Sequence, residues 1–71
     1  MLQIEFEQED DGRWIAEIPA LPGAMAYGAT QNEAKAKVEA LALRTFADRI
    51  EQGEIVSELT EFFVADHATA D

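Results

Sequence analysis

Leu2-Gln3-Ile4-Glu5-Phe6-Glu7-Gln8-Glu9-Asp10-Asp11-Gly12-Arg13-Trp14-Ile15-Ala16-Glu17-Ile18 is the stretch that decides the fold. Leu2, Ile4 and Phe6 alternate with Gln3, Glu5 and Glu7, the period of two expected of a strand with one buried face. Asp11-Gly12 then interrupts the alternation, and glycine at that place is a hairpin signal because it accepts positive φ without a steric cost. Past the turn the alternation resumes. Trp14, Ala16 and Ile18 fall on one face, and Arg13, Ile15 and Glu17 on the other. Two antiparallel strands are expected, each with one face toward a core, and the alternation places Trp14 in that core.

Working outward, Pro19 ends the second strand because it has no N–H for the ladder. Pro22-Gly23 reads as a turn, and Ala24 to Gly28 as a short third strand. Thr30 is placed to cap a helix, with Glu33 three residues later completing a capping box. From Gln31 to Glu51 there is neither Gly nor Pro, and helix formers dominate. Gly53 is positioned to stop the helix. Ala34, Val38, Leu41, Ala42 and Thr45 follow helical spacing and are expected to face the sheet. Ala36, Ala40, Leu43 and Ala47 lie on the opposite side, either as simple helix formers or as a second packing surface. The β-branched and aromatic run Ile55 to Val64 reads as a final strand. The expected architecture is α+β, two layers in the order β-β-β-α-β, with an antiparallel sheet and one long helix on one face. Residues 1–64 form the domain, and residues 65–71 are expected to be a disordered tail.

Composition narrows the function. The chain has 71 residues and no cysteine, so neither a disulfide nor a thiolate site is possible. A domain this small without staples is expected to form a dimer or higher homo-oligomer. Fifteen acidic against five basic residues give a net charge of −10. Such a surface repels phosphate and attracts basic proteins, so direct nucleic-acid binding is not expected. No apolar run approaches the ~20 residues that span a bilayer, and the first residues do not form a signal peptide. A cytoplasmic location is the expectation.

Candidate chemistry is sparse. Glu5, Glu7 and Glu17 share one sheet face, but two-metal nucleases need carboxylates converging on ions about 3.5–4 Å apart. His67, the one histidine, falls in the tail, without the held geometry a general base needs. Asp10-Asp11-Gly12 lacks the further ligands of a calcium loop. No catalytic, metal or cofactor residues are assigned. Glu5, Glu7, Glu17, Leu21 and Tyr27 are the candidate partner-binding residues. Leu21 would serve as an anchor if exposed, and Tyr27 is either a buried ring with a bonded hydroxyl or a contact aromatic.

The run from Asp11, Gly12 and Trp14 through Pro19, Leu21, Pro22 and Gly23, followed by Gly28, Thr30, Glu33 and Ala34, resembles the signature of the HicB family. The resemblance covers roughly residues 2–53. It implies a partial ribonuclease-H-like fold and an antitoxin that neutralises HicA, a small basic messenger-RNA-cleaving toxin, by occluding its active site. The acidity here suits such a partner. Where the family often has cysteine after Pro-Gly, this chain has Ala24, a packing difference without chemistry. Many members also carry a DNA-binding domain, whereas the residues after Gly53 are too few and too poor in basic residues to make one. The alternative expectation is an orphan HicB-like oligomeric domain with a structural or small-ligand role and no toxin partner.

Overall fold

A computed structural model describes residues 2–59 and 62–63. Three strands, β1 (Glu5–Gln8), β2 (Trp14–Glu17) and β3 (Met25–Gly28), form an antiparallel sheet in the order β1-β2-β3. One helix, α1 (Gln31–Glu51), lies on one face across β3 and β2. Opposed pairs include Phe6↔Ala16 and Ala16↔Ala26, so the inward residues predicted for β1 and β2 meet Ala26 of β3 in one row.

Each connection follows from its residues. Glu9 and Arg13 close a three-residue loop, with Glu9 N–H donating to the Arg13 carbonyl at 2.7 Å and Gly12 at φ 92°. That left-handed glycine is what a type I turn ending in a bulge requires. Two consecutive turns join β2 to β3. Leu21 N–H bonds the Ile18 carbonyl at 2.9 Å, and Ala24 N–H bonds the Leu21 carbonyl at 2.9 Å. In the second turn Pro22 precedes Gly23 at φ 88°, the arrangement of a type II turn. Folding the chain twice in this way drives Leu21 inward.

The helix begins and ends where its caps dictate. Thr30 Oγ1 accepts the Glu33 N–H at 3.0 Å, and the Glu33 carboxylate accepts the Ala29 N–H at 3.0 Å. These two bonds satisfy amides that would otherwise be orphaned. At the far end Gly53 (φ 85°) donates to Ile50 and Glu54 to Arg49, at 3.0 and 2.9 Å. That pair of bonds is a Schellman motif. The buried row is Ala34, Val38, Ala42 and Phe46. Phe46 joins the face expected from the spacing, while Leu41 and Thr45 sit half-buried on its flank, where the Thr45 hydroxyl donates to the Leu41 carbonyl at 3.0 Å.

Among the described residues nine hydrophobic side chains form the core, and four of them are alanine (Ala16, Ala24, Ala34 and Ala42). Leu2, Ile4, Phe6 and Trp14 pack against it partly buried. The helix approaches the sheet most closely at Gly28, where an added Cβ would stand 2.5 Å from the backbone nitrogen of Ala34. Among the described residues no helix is long and apolar enough to cross a membrane.

The expected final strand is corrected. Residues 55–59 form no strand; Val56 is buried, Ile55 is 90% exposed, and Ser57–Leu59 is a 3₁₀ turn closed by Leu59 N–H to the Val56 carbonyl at 3.0 Å. Val56 and Leu59 turn inward at a spacing of three, which is turn geometry and not the period of two that a strand needs. β-Branched composition pointed to a strand, but packing against the core decided otherwise. The remainder of that run, at 60, 61 and 64, and the tail at 65–71 lie outside the described residues.

Two outcomes follow from this geometry. Gly28→Ala forces its methyl into backbone, so it should cost about 3 kcal/mol in urea or thermal unfolding. Glu33 is held below its ordinary value of 4.5, chiefly by the Ala29 N–H and then by Lys37. A carboxyl that titrates lower in the folded chain stabilises it above the ordinary range and loses that effect as pH falls through the lowered value. Glu33→Gln should therefore lower the unfolding midpoint at neutral pH, with the gap to wild type closing on acidification below pH 4.5.

Candidate functional site

Because α1 covers one face of the sheet, the other face is left open among the described residues, and strand register arranges its side chains in two cross-strand rows. One row is Glu7, Ile15 and Tyr27; the other is Glu5, Glu17 and Met25. Ile15 is half-buried at the centre, while Met25 and Tyr27 are 47% and 40% exposed. The face is thus a short apolar strip bordered by three carboxylates. Glu5 stands directly opposite Glu17, a like-charge pairing that disfavours the sheet.

Arg13 stands at the turn end of this face. Its guanidinium lies 4.9 Å from the centre of the Tyr27 ring and 2.8 Å from the Asp11 carboxylate. The Arg13 N–H also donates to Asp11 at 3.0 Å. That backbone bond, with the guanidinium adding to it, holds the Asp11 carboxyl below the usual range against the opposing effect of desolvation. Arg13 therefore orients Tyr27 through a cation–π contact while its charge is met locally. The other four basic residues, Lys35, Lys37, Arg44 and Arg49, are all on α1. Charge is segregated, with the cations on the helix layer and carboxylates dominating the open face.

Of the candidate partner residues, Glu5, Glu7, Glu17 and Tyr27 come together here, and Tyr27 is a surface aromatic. Leu21 does not join them. It is 2% exposed, folded into the core by the two turns that flank it, and the expectation of a surface anchor is corrected. Ile15, Met25 and Arg13 complete the face. Ile15 was legible in the alternation, whereas Met25 and Arg13 needed the register and the ring contact. Trp14 is half-buried on the helix side, against the core.

Opposite the open face, α1 leaves the inner side of β1 incompletely covered. There Leu2, Ile4, Leu43, Phe46, Leu59 and Phe62 line an open groove of about 670 Å³. Leu43, at 61% exposure, belongs to its rim, while Ala36 and Ala47 are exposed and Ala40 is half-buried on the outer helix surface.

As for metal chemistry, among the described residues no three acidic or histidine side chains gather closely enough to hold an ion. Same-face neighbours along a strand are two residues, about 6.5 Å, apart, which spreads Glu5 and Glu7. His67 lies outside the described residues.

No family model, curated protein or solved structure matches the chain. The open face yields its own outcome. Since Glu5 and Glu17 oppose each other with no ion-pair partner among the described residues, Glu17→Gln should raise the unfolding midpoint at low salt, and the gain should shrink as added salt screens the pair.

Proposed function

We propose that this chain is a HicB-like antitoxin domain that binds a small basic ribonuclease of the HicA type and blocks its RNA-binding surface. The action is stoichiometric occlusion by a protein and involves no catalysis, metal or cofactor. In this reading the sheet and helix are the core of a partial ribonuclease-H-like fold, working in the cytoplasm.

The observation that carries the reading is the open face. Ile15, Met25 and Tyr27 offer an apolar centre, and Glu5, Glu7 and Glu17 offer a carboxylate border, the division between core and rim that protein interfaces use. A surface built to attract RNA phosphates presents cations, and those cations would meet the carboxylates at cross-strand spacing. The net charge of −10 steers such a partner from a distance and speeds encounter. The Glu5↔Glu17 opposition fits the same account. It weakens the free sheet and is relieved when a basic side chain lies between the two carboxylates. The motif series from Asp11 to Ala34 supports the choice of partner class.

A second reading is supported by the groove beside Leu2, Ile4 and Phe46. Its apolar lining suits a small hydrophobic ligand held by an oligomeric domain without a toxin partner.

The test is titration of a purified HicA-type ribonuclease with the purified protein. Inhibition should be stoichiometric and weaken with salt. The double variant Glu5→Lys, Glu17→Lys should raise Kd at least tenfold, about 1.4 kcal/mol, while Arg44→Ala on the helix layer leaves it unchanged. Undiminished binding by the double variant would remove the open face from the interface, and no inhibition by wild type would favour the second reading.

A further inference from the structure

Among the described residues the three-stranded sheet has two free edges, β1 and β3, and they differ in charge. Ile18 N–H donates to the Ala24 carbonyl at 3.0 Å, immediately beyond the β2–β3 ladder. Hydrogen-bonded pairs alternate along an antiparallel ladder. The Ala16↔Ala26 and Trp14↔Gly28 pairs therefore share that bonding, and Met25 and Tyr27 turn their N–H and C=O groups away from β2. These groups have no strand partner among the described residues. By the same logic, Glu9 N–H to the Arg13 carbonyl sets the phase of β1, whose outward-turned groups belong to Phe6 and Gln8.

On β1 the side chains beside those free groups are Glu5 and Glu7. Two copies of β1 paired antiparallel would set glutamates against one another, the device by which edge strands are kept apart. β3 has no such guard. Its residues are Met25, Ala26, Tyr27 and Gly28, without a charge or a proline. In a chain of net charge −10, a second copy can approach this edge without setting carboxylates against one another.

We propose that the chain forms a two-fold dimer through β3, with the two β3 strands antiparallel about Ala26 and the sheets joined into one of six strands. The register is self-consistent. An axis at Ala26 opposes Met25 to Tyr27 of the second copy, which are the residues whose backbone groups point outward, and the pairing forms four hydrogen bonds. On the open face it sets the Met25 thioether beside an aromatic ring, a favourable contact. On the helix side it opposes only Ala24, Ala26 and Gly28, small enough to leave room beneath the two helices. The thin, alanine-rich core explains why a second copy is needed. Dimerisation also makes the two open faces continuous, although the proposal does not depend on what those faces bind.

The chain has no cysteine, so a single introduced thiol reports unambiguously. A non-hydrogen-bonded antiparallel pair brings Cα atoms to about 4.5 Å, within disulfide range. Ala26→Cys should link into a covalent dimer under mild oxidation, and Gln8→Cys on β1 should not. Wild type should have the mass of a dimer by light scattering at about 100 µM, that is, Kd well below that concentration. Met25→Pro removes an outward donor at the first residue of its strand, where the β2 ladder does not use it. This variant should be monomeric with an unchanged far-ultraviolet circular dichroism spectrum. A monomeric wild type, a dimer that Ala26→Cys fails to link, or a dimer that survives Met25→Pro would each overturn the proposal.

Discussion

The close seating of α1 on β3 is the constraint from which the rest of the structure follows. Gly28 has no Cβ, and the backbone of Ala34 occupies the space a Cβ would take. Only four residues before that contact, Thr30 stops the extended chain and caps the helix, so the first turn is already against the sheet when it forms. From there the row Ala34, Val38, Ala42, Phe46 advances at intervals of four, with the smallest side chain at the close contact with Gly28 and the largest at the far end of the row. A helix seated further out would leave Ala16 and Ala34, both fully buried, facing empty space.

This economy has consequences at the margins. Alanine buries little apolar area, and burial of apolar area is the main favourable term in folding. The helix also sits over β2 and β3, so the inner side of β1 is finished by Val56, Leu59 and a groove. Among the described residues, the groove beside β1 and the uncharged edge of β3 are both incompletely covered. They differ in kind, because a groove offers area alone, while an edge adds backbone groups that require partners.

Charge is distributed with the same asymmetry. Lys35 pairs with Glu39, and Lys37 with Glu33, one turn apart on the helix. These exposed pairs contribute little to stability, but they neutralise the helix layer locally. Arg13, the cation nearest the open face, is met by Asp11. Among the described residues Glu5, Glu7 and Glu17 form no ion pair, and two of them face each other across the ladder. Natural sequences break local rules of this kind at functional sites, which is why the sheet's open face carries the functional reading.

The sequence by itself determined the local structure. Period-two alternation set the β1–β2 pair and its facing, Thr30 and Glu33 set the helix start, Gly53 set its end, and Pro22-Gly23 set a turn, because each of these rests on contacts between residues close in the chain. It also placed Glu5, Glu7 and Glu17 on one face. What it left open depended on contacts between distant residues. Leu21 became core because two turns fold it under the sheet. Phe46 became core because it continues the buried row Ala34, Val38, Ala42 at intervals of four. Tyr27 came to the surface beside Arg13, through register across two strands. The stretch at Ile55–Leu59 had strand composition, yet Val56 and Leu59 found burial at a spacing of three. Only tertiary packing decides such cases, since a side chain's propensity describes the surface it fits and not the surface that is present.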